Sequence, residues 1–583
     1  MNSHLRPIRK GPSFPPSLAL LLATFLTGLL SASALMAQST NRKVGTQFEA
    51  TADPVVERPK EQPCVVPLFA NYQFAFFSDT DQTFNVTPPD NCSGPFEKII
   101  FEADFSENGG IQFDRTSSIY IANANIYFGT TPEPLATLTN SWHVERDITD
   151  YASLLAVPQQ GTMVLQNCTT DCPPPYNTYL NGVFTVSANL EFYPAQKGQQ
   201  TFGKLPAHRI PDEVLPLEQL NSSGGVSLPA ILNGPTDQLS TTFTLPANTE
   251  AAYLDVISQS QSTDEQWYAC FPNDLANINE VYGCGNTDFR ETEVTIDGTL
   301  AGIAPVSPWI FTGFLPDVWV PTPGAQTLEF VPYRVNLTPF AGLLSNGQPH
   351  TVAISVFNDD GYFSTAASLL LYLDSGSKQV TGKVTKNTLT SPTPTVTENL
   401  KGTSTVTGTI GVTSDRLFTI TGEVNTSHGK VVTSVTTRQN FASTQTIDFD
   451  TVNFTVLDQG TAVANNVNTA TAVTDDLGTL VYHDNFSFPI SVDFVYPVSA
   501  SPFGYTIAVG QDYQTSNRVT IEDFVLQSKS LSNSVTATDV SPAASSQTYT
   551  STDSEGPSYS CHIKSANNTL IQVSAGCKQE ENK

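Results

Sequence analysis

Charge is scarce in this sequence: Asp, Glu, Lys and Arg make up 14 % of its 583 residues. The shortage falls on the basic side, with 27 Lys and Arg against 55 Asp and Glu, a formal net charge of −28. Such a chain repels phosphate backbones, which excludes nucleic acid as a partner. So little Lys, Glu and Leu also leaves little from which to build amphipathic helices. The 7 His residues are scattered, and neither a His-Glu-x-x-His pair nor a Gly-x-Ser-x-Gly elbow occurs, which removes the zincin and the serine-hydrolase chemistries. Catalysis, if there is any, falls to carboxylates. Long apolar runs are missing beyond the first 37 residues.

That opening reads as an export signal. Arg6, Arg9 and Lys10 form a basic start, Leu18 to Leu30 an apolar run, and Ala32, Ala34 and Ala37 offer small residues for cleavage. The run is about 13 residues, too short to span a bilayer, so residues 1–37 predict a secreted or periplasmic protein with no membrane partner after cleavage. The acidic balance suits solubility in a mildly acidic medium, and ordinary extracellular solubility explains it equally well. All eight cysteines, at 64, 92, 168, 172, 270, 284, 561 and 577, follow the signal. An even count in an exported chain points to disulfides. The close spacings suggest local pairs 64–92, 168–172, 270–284 and 561–577, among about 105 connectivities that sequence leaves open.

The 40 Pro and 36 Gly, with long stretches of Thr, Val and Ser, suit pleated surfaces and turns, and predict an all-β protein. Residues 38–62 are polar and turn-rich, a loose leader. A first β block covers 63–204, where Ile119 and Ile121 alternate with polar neighbours as in a half-buried strand. Residues 205–235 carry five Pro and read as a linker or a long extended crossing. A second block covers 236–378, with Val352, Ile354 and Val356 in alternation. Residues 379–583 form a further Thr/Ser/Val-rich β domain, alternating at Val452-Phe454-Val456 and Val492-Phe494-Tyr496, with a more polar last stretch of about 50 residues. Gly198 to Lys204 mimics a phosphate loop, but Leu205 replaces the Ser or Thr that such a loop requires and no helix-like sequence follows.

The specific signal begins at Ile111-Gln112-Phe113-Asp114-Arg115, followed by a strand to Tyr127 and by Thr130-Thr131-Pro132-Glu133-Pro134. Then come Trp142-His143-Val144-Glu145-Arg146-Asp147-Ile148-Thr149-Asp150-Tyr151 and Ser153-Leu154-Leu155. In the second block stand Asp264-Glu265-Gln266-Trp267-Tyr268, Phe289-Arg290-Glu291, Tyr333-Arg334-Val335-Asn336-Leu337-Thr338-Pro339-Phe340 and Asn346-Gly347-Gln348-Pro349-His350. This ordered set, over about 95–375, resembles the type A peptide:N-glycanases of plants, fungi and bacteria. The Asp-Arg pair is also similar to the flavobacterial type, and the charge balance suggests an acidic bacterial-type member. The resemblance implies two adjacent jelly-roll β-sandwiches with the site in the cleft between them. It implies hydrolysis of the amide joining asparagine to N-acetylglucosamine in an N-linked glycoprotein or glycopeptide, without metal or cofactor. Nothing carries over beyond residue 380.

The resemblance places the essential carboxylate at Asp114, as base or water-orienter, with Arg115 pinning it or polarising the amide. Alone, such a pair is more often a surface turn. The flavobacterial type has a glutamate in a Cys-x-Glu-x-Cys-Phe-Arg stretch, where Cys284-Gly285-Asn286-Thr287-Asp288-Phe289-Arg290 puts Asn286 instead. Glu265 and Asp264 are the nearest replacements, otherwise solvated loop acids, and a 270–284 bridge would hold their loop close to Arg290. Glu133, between two prolines, is a further candidate or a plain turn residue. Trp142 and Trp267 would stack on sugar faces, or else pack in a core; Arg290 and Asn286 would touch substrate. Two rivals stand beside this reading: a non-catalytic glycan-binding jelly-roll protein or adhesin, and a glycosidase with paired carboxylates.

Overall fold

The computed structural model describes residues 42–577 except 89–93, 134–136, 138, 196–208, 280–283, 313–321, 454, 477, 500–503, 523 and 540–541. The export signal, the phosphate-loop mimic and Phe454 lie outside the described residues. Among those described, the protein is almost entirely β-stranded: four small antiparallel sheets and one of twelve strands.

The first eight strands are β1 (Cys64–Phe74), β2 (Asp81–Val86), β3 (Phe96–Glu107), β4 (Thr116–Ile121), β5 (Ala124–Thr130), β6 (Asn140–Asp147), β7 (Gln159–Leu165) and β8 (Phe184–Pro194). They form one sheet in the order β1-β8-β3-β6 and a second in the order β2-β7-β4-β5. Phe101, Phe105, Ile119, Ile121, Tyr127, Trp142 and Phe184 fill one core between them. The half-buried alternation expected around Ile119 does not appear. Ser117 to Ile121 are all buried, because Tyr120 on the outward side packs with Ile257, Trp309 and Ala366 of the next block.

That block holds β9 (Glu213–Pro216), β10 (Ala230–Leu232), β11 (Leu239–Phe243), β12 (Thr249–Gln261), β13 (Glu291–Ile296), β14 (Thr299–Pro305), β15 (Tyr333–Asn336), β16 (His350–Phe357) and β17 (Tyr362–Leu373). One sheet runs β10-β17-β12-β15 with β9 also on β17, and the other runs β11-β16-β13-β14. The proline-rich crossing therefore supplies two short strands to the edge of β17. Short edge strands tolerate proline, since they need few ladder donors.

The remaining strands make the large sheet: β18 (Thr381–Asn387), β19 (Thr395–Lys401), β20 (Thr405–Thr426), β21 (Gly429–Asp450), β22 (Thr455–Asp475), β23 (Gly478–Ser487), β24 (Ile490–Val495), β25 (Thr506–Ile521), β26 (Phe524–Thr538), β27 (Ala544–Asp553), β28 (Tyr559–Ala566) and β29 (Thr569–Val573). β20 and β21 have 22 residues each, about 70 Å at the usual rise per residue. Odd-numbered residues of β21 from Thr433 to Phe449 are buried and even-numbered ones face outward. The inward set, including Val412, Phe418 and Phe441, shares a core with Leu254, Trp267 and Phe289 of the second block. Two sequence alternations behave differently: Val452 sits in a turn at 65 % exposure, and Tyr496 lies beyond the end of β24. The polar tail carries three further strands, closed by the disulfide Cys561–Cys577.

Residues 42–62, read as a loose leader, form an extended strap. Ala50 and Ala52 are buried beside Tyr549, Ile563 and Leu570 of the large sheet. Arg42 donates to the Cys577 carbonyl at 2.8 Å, and Arg58 pairs with Glu102, Glu145 and Glu191 on the first block. The strap holds because its alanines fit under the aromatic cluster, Arg42 finds backbone carbonyls and Arg58 finds carboxylates. The disulfides Cys168–Cys172 and Cys270–Cys284 are also present; Cys64 is disulfide-bonded, and Cys92 lies outside the described residues.

Candidate active site

Asp114 and Arg115 sit on the approach to β4, and the local sequence fixes the arginine. The Arg115 backbone N–H donates to Thr131 Oγ1 at 2.8 Å, and its carbonyl accepts the Thr131 N–H at 2.9 Å. Gln112, 1 % exposed, accepts from Arg115 Nη2 at 2.7 Å and donates to the carbonyls of Cys168 and Gly182. The guanidinium lies over the Phe113 ring, 5.6 Å from its centroid. Its Nε has no hydrogen-bond partner among the described residues. Two residues past Thr131, Glu133 turns back toward this pair and feels both of their charges.

Glu265 reaches the same place from the second block. β12 runs alongside β4, where Thr116 Oγ1 donates to Gln259 Oε1 at 2.9 Å and accepts from Gln261 Nε2 at 3.4 Å. After Gln261 the chain turns through Ser262, whose φ of 59° is left-handed, and Asp264 anchors the turn. Asp264 Oδ1 accepts Arg290 Nη2 at 2.6 Å and Nε at 3.0 Å. Its Oδ2 accepts the backbone N–H groups of Asp360 and Gly361 at 2.6 and 2.8 Å. A carboxylate held by four donors cannot swing, so the next residue is aimed.

Three half-buried carboxyls, each pushed out of the ordinary range, thus interact: Asp114 and Glu133 with Arg115, and Glu265 with Asp114 and Glu133. Burial raises Asp114 to about 6 against the pull of Arg115. Burial and the charge of Asp114 raise Glu133 to about 7, again with Arg115 opposing. Burial, Asp114 and Glu133 together raise Glu265 to about 8. Burial presses Arg115 downward while Asp114 and Glu133 hold it charged. Tyr362 and Tyr268 are raised by burial and then by Glu265. The order of these shifts makes Asp114 the most readily ionised of the three carboxyls and Glu265 the least.

The family model described as Peptide N-acetyl-beta-D-glucosaminyl asparaginase amidase A matches residues 54–390, and these include all four residues of the cluster. The chain belongs to the amidase A family. Peptide-N4-(N-acetyl-beta-glucosaminyl)asparagine amidase A of Prunus dulcis is 30 % identical over 397 residues, and the match spans 66 % of this chain and 66 % of that relative. Among solved structures, PNGase F, a glycosylasparaginase from Flavobacterium meningosepticum, is 14 % identical with a TM-score of 0.36, covering 54 % of this chain and 97 % of that one. PNGF-II is 15 % identical with a TM-score of 0.35, covering 54 % and 66 %.

In this member of the amidase A family the other sequence candidates stand apart from the cluster. Asp264 and Arg290, both at 0 % exposure, lie beneath Glu265 and satisfy one another, with Arg290 also donating to the carbonyls of Gly285, Thr287 and Phe289. Neither presents a free atom to a substrate. Trp142 stacks on Phe105 at 5.0 Å inside the first core, and Trp267, fully buried, packs against Phe441 of the large sheet. Both rings belong to cores and offer no face to a sugar: Trp142 points inward from β6, and Trp267 opens a short 3-10 turn that packs onto the large sheet. Asn286, at φ 62°, clasps Asn273 at 2.7 and 3.0 Å and joins two loops. Gln112 was visible inside the motif, yet nothing local marked it as the brace of Arg115. Tyr362 and Gln259 gave no sequence signal, since only the pairing of β12 with β17 and the approach of β4 bring them in.

Proposed function

We propose that the chain is a peptide:N-glycanase that hydrolyses the amide between asparagine and N-acetylglucosamine in N-linked glycoproteins or glycopeptides. Water attacks the side-chain carbonyl of the substrate asparagine, oriented and deprotonated by Asp114. Arg115 stabilises the oxyanion through its fork of donors. Glu265, protonated near neutrality, gives its proton to the departing nitrogen, so the sugar leaves as a glycosylamine and aspartate remains in the peptide. Glu133, beside this pair, raises Glu265 further and so helps to keep it protonated. The observation that carries the reading is the graded set of mutually interacting carboxyls, raised to about 6, 7 and 8 beside the Asp114–Arg115 pair.

The strand orders 1-8-3-6 and 2-7-4-5 support describing the first block as a jelly roll, and the shared core of the second pair of sheets supports a second sandwich. The disulfides favour an oxidising compartment, and among the described residues no helix is long and apolar enough to cross a membrane; together with the opening segment they support a secreted or periplasmic location. The excess of 55 acidic over 27 basic residues supports the acidic, bacterial-type subtype. Mass analysis of a defined glycopeptide after incubation tests the activity. An amidase leaves aspartate in the peptide and a sugar-free site. A glycosidase leaves a sugar on asparagine, and a glycan-binding protein leaves the glycopeptide whole; either result rejects the proposal.

A further inference from the structure

The large sheet has an outward face that the amidase reading does not use. Across six of its strands runs a row of directly paired residues: Asn440, Asn466, Ser487, Gln514, Ser532 and Thr550. Two positions further along the strands runs a second row, Asn468, Asn485, Ser516, Ser530 and Thr552. Six strands at the usual spacing make the rows about 24 Å long, and the residue step sets them about 7 Å apart. Between them lies a trough of about 570 Å³.

Three features separate this trough from an ordinary solvated sheet. First, Asn is disfavoured in strand interiors, yet four of them meet here on adjacent strands; a local choice that opposes the fold marks a functional surface. Second, no charged residue lines the trough, although the ion pair Arg438–Asp415 stands beside it on the same face of the sheet. Third, the side-chain amides of Asn440, Asn468 and Gln514 make no hydrogen bond among the described residues, while their neighbours are paired, Ser487 to Asn466 at 2.6 Å and Asn485 to Ser516 at 2.9 Å. The unused groups are neutral donors and acceptors in equal measure.

That chemistry sorts the ligands. A phosphate or sulfate would find no cation, a metal ion no carboxylate, and an apolar chain no apolar outward residue. A neutral polyol matches it, because each ring presents hydroxyls that both donate and accept, and a straight double row fits a chain of such rings. We infer that the outward trough on β21 to β27 binds a linear neutral oligosaccharide. The site lies in a part of the chain separate from the Asp114–Glu265 cluster, and holding a second sugar chain there raises the effective concentration of substrate at the cluster.

Hydrogen exchange of the full chain, expressed in a bacterial host so that the Asn485-Phe486-Ser487 sequon carries no sugar, tests this with chitohexaose and mannohexaose at millimolar concentration. Slowed exchange is expected in 465–469, 484–488, 513–517 and 529–533, and none with a sulfated dextran. The double variant Asn468→Ala with Asn485→Ala should weaken binding by about tenfold or more. Ser516→Arg, which fills the trough from an outward position, should abolish the protection. Both variants should keep wild-type turnover of a short glycopeptide. Protection confined to the segments that carry Asp114, Glu133 and Glu265, or absent with both sugars, overturns the trough and leaves the amidase reading untouched.

Discussion

Asp114 and Glu265 carry the same functional group, yet burial, the pull of Arg115 on Asp114 and the charge of Asp114 and Glu133 on Glu265 set them about two pH units apart. If the first must be ionised and the second protonated, kcat/KM should follow a bell with limbs near 6 and 8, reporting the titration of the coupled set. Asp114→Asn should lower turnover by about a thousandfold with an unchanged circular dichroism spectrum; more than a tenth of wild-type activity in a folded variant would remove Asp114 from the reaction. The same displacement acts on stability. Raising a carboxyl means that the folded state resists its ionisation, so stability is complete below the ordinary glutamate value and declines as pH rises through about 8. Glu265→Gln should therefore melt at the wild-type temperature near pH 4 and above it at pH 9. Equal melting at both pH values would mean that Glu265 titrates as a free carboxyl.

At the scale of elements, the cluster depends on two small anchors. The turn after β12 is locked by Asp264 and Arg290, a fully buried pair. Removing one partner leaves the other uncompensated, so Asp264→Ala should cost about 3–5 kcal/mol in urea unfolding and fail to bind substrate as tightly. On the opposite side Gln112 braces Arg115, and Gln112→Leu should reduce kcat more than it raises KM, because the guanidinium loses its orientation while the substrate contacts remain. These elements are unevenly legible in the sequence, for a physical reason. Alternation exposed the strands, and the Asp-Arg pair was legible through its resemblance to a family motif. Asp264 and Glu265 are neighbouring acids in one short turn, and only the position of Arg290 tells which carboxylate is consumed in the fold and which is presented. The indoles of Trp142 and Trp267 were equally ambiguous, since their burial is decided by Phe105 on the partner strand and by Phe441 on a sheet more than 150 residues away in sequence.

At the scale of the whole molecule, the second block and the large sheet share one core. Phe441 touches both Trp267 and Phe289, and Gln445 donates to the Cys270 carbonyl and to Asp288 within the loop system that supports Glu265. A chain ended at residue 378 would expose that apolar face, and it should elute as aggregates in size-exclusion chromatography rather than as an active monomer. Residues 63–225 alone, even if folded, should show no turnover, because Glu265 is missing; activity in that fragment would refute a shared site. The strap of residues 42–62 ties the beginning of this arrangement to its far end: Gly45 donates to the Leu570 carbonyl at 2.8 Å, and Leu570 to that of Thr46 at 2.9 Å. During synthesis the 42–53 part of the strap is therefore made early and finds its place late, for its partners on β27 to β29 emerge only after some 500 further residues have been translated. A newborn chain must keep Arg42, Ala50 and Ala52 in waiting throughout, which makes the delay between synthesis of the strap and of β29 a step on which correct folding turns.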